Sequence, residues 1–245
     1  MKDEQLKELM QSASRRYRTV RVAVSASLDR DAYGVSLTRH AANPTAAAVL
    51  SDPHSQLTGI SKWDWRVWVD QPYRWRQEEF RPPGHLRGVS GGNEGQYWQY
   101  VPEANVRYVS DWHDPGMDPD SAQTWHFTSV VHPTVGELID PSFLWSIPEG
   151  ATRDPALEVT AKSERLGREA WRARVDVQDW DTRSVLGENL PMADDYELIV
   201  DAATGVILRT ACLLDGTEFA VTEVRTISFD EPMDRSLFEP PPGGP

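Results

Sequence analysis

Between Tyr196 and Phe229 the chain reads as an unbroken run of β-hairpins. A strand Tyr196–Val200 leads through the turn Asp201-Ala-Ala-Thr-Gly205 into a strand Val206–Leu214, and the turn Asp215-Gly216 leads into a strand Thr217–Phe229. Asp-Gly between two β-rich runs is a strong hairpin signal, because a two-residue type I′ turn needs positive φ at both central positions. Hairpins join antiparallel neighbours, so this part of the chain must form a meander that the remainder extends or covers.

Upstream, apolar residues change period twice. In Lys2–Arg16, Leu6, Leu9, Met10 and Ala13 follow helical spacing with charges opposite. Then Val20, Val22, Val24, Ala26 and Leu28 alternate with Arg21, Ala23, Ser25, Ser27 and Asp29, the pattern of a half-buried strand. A short strand Gly34–Arg39 is expected to pair with it. Ala41–Thr58, carrying Pro44 and Pro53, reads as a surface loop with a helical turn at Ala46–Leu50. Lys62–Val69 alternates again, with Trp63, Trp65, Val67 and Val69 on one face, and Tyr73–Phe80 follows the Gln71-Pro72 turn. Pro82-Pro83-Gly84 and Ser90–Gly95 bracket what reads as a short connection before the aromatic strand Gln96–Val101.

Asp111–Asp120 is an acidic loop. Thr134-Val-Gly-Glu137 has the form of a capping box, and Asp140-Pro141 restarts the helix, giving Phe143, Leu144, Trp145 and Ile147 an apolar face. Strands resume at Leu157–Lys162 and, after a turn at Gly167, at Ala170–Asp179. No break divides the chain, so residues 1–239 are expected to form one domain, with a flexible Pro/Gly tail at 240–245.

The chain has 245 residues and a net charge of −13, which disfavours nucleic acid and anionic membrane surfaces as partners. Arg66, Arg74 and Arg76 are followed at once by Glu78 and Glu79, so no basic stripe forms. Cys212 is the single cysteine and rules out an internal disulfide; inside a strand it reads as a small buried side chain. No window approaches a transmembrane helix, and the charged N-terminus has no apolar leader, which points to a cytoplasmic protein, or to an extracytoplasmic one whose signal peptide has been removed. Ten tryptophans, concentrated in the first two-thirds, are many indoles for one small core. They either pack as core or line an apolar cavity or groove.

Taken in order, Asp140-Pro-Ser-Phe-Leu144, Leu166-Gly-Arg-Glu-Ala170, Val200-Asp201…Thr204-Gly205 and Phe229-Asp-Glu-Pro-Met-Asp234…Leu237-Phe238 resemble the LolA/LolB lipoprotein-carrier family. The likeness extends to its actinobacterial relatives and to periplasmic regulators of envelope-stress sigma factors. The resemblance implies a mainly β, α+β fold: one strongly curved antiparallel sheet forming a half-open barrel, an N-terminal helix, and short helices (Thr134–Ile147) plugging the open face. It also implies a hydrophobic cavity, for which Trp63, Trp65, Val67, Trp75, Tyr97, Trp98, Trp125, Phe143, Leu144 and Trp145 are the candidate lining. The ligand expected is an acyl chain, lipid or lipidated peptide, held as by a carrier or sensor. A competing reading is a protein-interaction or regulatory module with a partner's segment in the groove.

Catalytic signatures do not accompany the fold signature. The sequence has no glycine-rich dinucleotide or phosphate loop, no His-Glu-x-x-His and no Gly-x-Ser-x-Gly, so no cofactor and no catalytic set are assigned. Asp111, His113, Asp114, Asp118 and Asp120 lack the closing glutamate of a calcium loop, so no metal is assigned either. His126 and His132, near Trp125 and the plug, are ordinary rim histidines, or in a cavity enzyme such as a cyclase or isomerase His126 would be the proton shuttle.

Overall fold

The alternating strand read near the N-terminus is the centre of the molecule. In a computed structural model, which describes residues 1–40, 44–52, 58–93, 96–111, 131–145, 156–176 and 192–241, β1 (Thr19–Asp29) lies between two wings of one sheet. On one side follow β2 (Ile60–Asp70), β3 (Arg74–Arg81), β4 (His85–Asn93), β5 (Gln96–Val101) and β6 (Val106–Asp111). On the other, β11 (Thr217–Phe229) pairs with β1 and is followed outward by β10 (Ile207–Leu214), β9 (Asp195–Asp201), β8 (Arg168–Asp176) and β7 (Ala156–Arg165). Every neighbouring pair is antiparallel. The 11-stranded sheet does not close into a barrel, so the half-open form expected from the motifs is the form observed.

One face of the sheet is apolar from wing to wing. Val20, Val22 and Val24 stand opposite Val69, Val67 and Trp65 of β2 and opposite Phe229, Ile227 and Val224 of β11. Further out, Tyr196 and Leu198 of β9 align with Val175 and Ala173 of β8. Burying each such aliphatic side chain contributes roughly 1.5–3 kcal/mol. On this inner face pack Leu6, Leu9 and Met10 of α1 (Asp3–Gln11), with Ala13 from the 3-10 turn that continues it. The helix stops where Ser12 turns its hydroxyl back onto the Glu8 and Leu9 carbonyls.

The two wings are sequential meanders, so the chain must cross from the β6 edge to the β7 edge between residues 112 and 155. Part of that crossing is α4 (Pro133–Ile139) and the 3-10 turn Pro141–Trp145, both covering the inner face. The helix begins one residue before the expected cap: His132 is the N-cap, its Nδ1 accepting from the Thr134 N–H at 3.3 Å, and Pro133 takes the first position. Asp140 does cap the next turn, accepting from the backbone N–H and hydroxyl of Ser142.

Two expectations fail. Gly34–Arg39 is not a strand but part of α2 (Arg30–Arg39), because Asp29 caps the helix by accepting from the Ala32 N–H at 3.0 Å. Its buried Leu37 and the stacking of Tyr33 on Phe219 hold it at one end of the sheet. The stretch between Gly84 and Gly95 is not a connection but largely β4. There Gly91 and Gly92 are not turn residues: a Cβ on Gly91 would collide with the Trp98 indole, and one on Gly92 with that of Trp75. The helical turn at Ala46–Leu50 lies within α3 (Pro44–Ser51).

Candidate ligand-binding interior

Register decides which aromatic residues share a wall. Trp63, Trp65, Val67 and Val69 project from β2 to the inner face; Val67 faces Gln77 and Val69 faces Trp75 on β3. Trp75 aligns with Gly92, and Gly92 with Tyr97, so Trp75 and Tyr97 share a row, their rings 6.0 Å apart across the glycine. A Cβ on Gly92 would stand 2.5 Å from the Trp75 indole nitrogen, so the glycine makes room for that ring.

The cover is fastened to this wall by polar contacts. The His132 ring sits 4.9 Å from that of Trp65, and the His132 N–H donates to Gln77 Oε1 at 2.6 Å. At the far end of α4 the buried Tyr17 hydroxyl donates to the Ile139 carbonyl at 2.7 Å. Burial, reinforced by the nearby Asp140, raises the Tyr17 phenol well above its ordinary range, so it is a permanent donor. Leu144 and Trp145 turn inward beyond it and are buried with α1 in the same cluster.

Of the candidate lining, Trp65, Val67, Trp75, Leu144 and Trp145 are buried in one hydrophobic cluster, with Trp63 and Tyr97 half-buried against it. Trp125 lies outside the described residues, as does the Phe143 side chain. Trp98 must be removed from the set. It pairs with Gly91 on β4, one residue out of phase with Tyr97, and therefore projects from the outer face. There it is fully buried under the 3-10 turn Arg235–Phe238, its indole donating to the Phe238 carbonyl at 3.1 Å while Arg76 stacks over its ring.

Sequence reading also missed members of the interior. Trp171, aligned with Val200 on the other wing, extends the inner wall, and its signal was the alternation Trp171, Ala173, Val175. His132 and Gln77 fasten the cover through pairings that no sequence spacing shows. The Nε1 atoms of Trp65, Trp75, Trp145 and Trp171, and the Thr210 hydroxyl, are buried without a hydrogen-bond partner among the described residues.

The chemistry in reach is that of packing and donors. Cys212 is buried and desolvation pushes its thiol up, which leaves it protonated and unreactive. Among the described residues no three His, Cys, Asp or Glu side chains are grouped to hold a metal. His113, Asp114, Asp118, Asp120 and His126 lie outside those residues. Acids that stand next to one another in the sequence do not share a proton site: Glu78 accepts from Arg76, Glu79 from Arg87, and Asp194, beside Asp195, from Arg39. No helix among the described residues is long and apolar enough to cross a membrane.

No family model matches the sequence, and no curated protein matches it. Solved structures similar to the chain include an uncharacterized conserved protein from Thermus thermophilus, at 12% identity and TM-score 0.47, covering 97% of this chain and 94% of that one. A chain of the Pseudomonas aeruginosa MucA/MucB complex is similar at 12% identity and TM-score 0.46, with 98% of this chain covering 61% of that one. The Mycobacterium tuberculosis lipoprotein LppX is similar at 13% identity and TM-score 0.43, with 95% and 98% covered.

Proposed function

We propose that this protein binds a hydrophobic molecule, an acyl chain, lipid or lipidated peptide, between the inner face of β2–β5 and the segment 131–145, as a carrier or sensor. The observation that carries the reading is the convergence of Trp63, Trp65, Val67, Trp75, Tyr97, Leu144 and Trp145 on one interior, with the segment 131–145 over it. Aromatic and aliphatic walls with a small number of placed donors are the usual make-up of a site for an apolar ligand. An acyl chain buried there gains about 0.8 kcal/mol per methylene from leaving water.

Native mass spectrometry of protein purified from cells, before and after treatment with a lipid-removing resin, tests this. A co-purified apolar mass that disappears on treatment, together with binding of Nile red to the stripped protein, is the expected result. An interior that carries no such mass and takes up no dye overturns it. The competing reading, an interaction module, draws on the acidic charge of −13 and on exposed Tyr108 and Val109 on the end strand β6. Recovery of one basic protein with the unliganded chain at low salt, lost at high salt, favours that reading instead.

A further inference from the structure

The stretch that follows β11 crosses the outer face of the sheet as a strap. It is rooted at the end of that strand: the Asp230 carboxylate accepts from the Arg18 backbone N–H at 2.7 Å, and the Glu231 carbonyl from the Thr19 hydroxyl at 2.9 Å. From there to Pro241 a single side chain is buried, that of Phe238. The 3-10 turn that carries it is bonded to itself, the Leu237 N–H donating to the Asp234 carbonyl and the Glu239 N–H to that of Ser236. A segment with one buried anchor and short-range hydrogen bonds belongs to the part of a fold that opens most readily.

The groups that grip this anchor are the outward neighbours of an inner-wall residue. On β3, Trp75 projects to the interior, so Arg74 and Arg76 project outward. The Arg74 guanidinium lies 6.0 Å from the Phe238 ring. Arg76 donates to the Leu237 carbonyl at 3.3 Å and lies 5.8 Å from the ring of Trp98, whose indole donates to the Phe238 carbonyl. Asp70 and Glu78 pair with the two arginines at 2.7 and 2.8 Å and fix their direction. On β4 the two faces meet again. A Cβ on Gly91 would stand 2.3 Å from Trp98 outside, and one on Gly92 2.5 Å from Trp75 inside. The two indoles therefore bear on consecutive residues of one strand from opposite sides.

From this back-to-back arrangement we infer that residues 230–241 are an autoinhibitory clasp. Docked Phe238 holds Trp75 down on Gly92 and opposes entry of a guest; a guest in the interior loosens the strap. The inference rests on the ligand-binding reading above and adds regulation to it. Trp75 is 3% exposed and packs in one cluster with Trp65, Leu144 and Trp145, so a guest entering between these rings has to push it aside. Close-packed interiors transmit such strain to their neighbours. Here the neighbours are the β3 and β4 backbone that positions Arg74, Arg76 and Trp98. Coupling between two sites is reciprocal: the factor by which the strap weakens binding is the factor by which binding weakens the strap.

The test titrates Nile red into three stripped proteins: wild type, Phe238→Ala, and Leu37→Ala, which truncates a buried residue of α2 and controls for general loosening. Phe238→Ala is expected to bind the dye about fivefold more tightly or better, a typical coupling, and Leu37→Ala to bind as wild type does. In the wild type, bound dye is expected to quicken amide exchange at Leu237 and Glu239 and to leave β1 unchanged. Equal affinity of Phe238→Ala and wild type, the same tightening in Leu37→Ala, or strap exchange unmoved by bound dye overturns the clasp and leaves the ligand-binding reading standing. Dye taken up by neither wild type nor Phe238→Ala overturns the ligand-binding reading and the clasp with it. Should Phe238→Ala not fold, exchange in the wild type decides alone.

Discussion

At the scale of single residues, Gly91 and Gly92 show how a dipeptide that reads as a turn becomes a strand. Trp98 lies over the first from outside, Trp75 over the second from inside, and neither site has room for a Cβ. Both substitutions to alanine force a packed indole to move, so each is expected to destabilise the fold by about 1–3 kcal/mol, as overpacking does. Urea melts of the two variants check this. Gly92→Ala is also expected to alter the emission of Trp75, and Gly91→Ala that of Trp98. The same pair of residues shows what was legible in advance. Adjacent strand residues project to opposite faces, so Tyr97 and Trp98 were never able to line one wall; composition drew them together and parity separates them. That Trp98 would be roofed by a segment some 140 positions later was not readable, because nothing local to either encodes the contact.

At the scale of elements, the hairpins were plain because their turns carry their own chemistry. Asp215 and Gly216 both adopt positive φ, 52° and 76°, as the Asp-Gly signal requires. The turn after β9 is held by Asp201, which accepts from the backbone of Ala203 and Thr204 and from the Thr204 hydroxyl and pairs with Arg168. Burial pushes the Asp201 carboxyl up, but the Arg168 guanidinium and the Thr204 hydrogen bonds outweigh it and hold it below the ordinary carboxylate range. A depressed carboxylate stabilises the fold above its unfolded pKa, near 4, and that stability is lost as pH falls through the lower folded value. Asp201→Asn is therefore expected to lower stability at pH 7, with the gap from wild type narrowing as pH falls below about 4; thermal melts across that range test it. The misread elements, α2 and β4, share one cause. Their identity is set by a cap at Asp29 and by indoles on neighbouring strands, not by their own periodicity.

Across the whole molecule, the open antiparallel sheet with its helical cover was legible from the order of hairpins and motifs, whereas the fastening of the cover was not. Tyr17, at the entry to the central strand, reaches the end of α4 through one buried hydrogen bond. Tyr17→Phe leaves the Ile139 carbonyl without that donor and is expected to cost about 1–3 kcal/mol. Hydrogen exchange is expected to quicken along α4 more than along β1, and equal acceleration of both counts against a local role. The position of β1 has a further consequence, for synthesis. One side of this strand is matched by β2, its next strand in the chain, while the other waits for β11, nearly 200 residues later. As the chain leaves the ribosome, the first wing can assemble promptly around its founding strand, which then carries an unsatisfied hydrogen-bonding edge through most of translation. The seam that finally joins the wings is the last to be stitched, and until then the nascent protein is a template for the wrong strand as much as for its own.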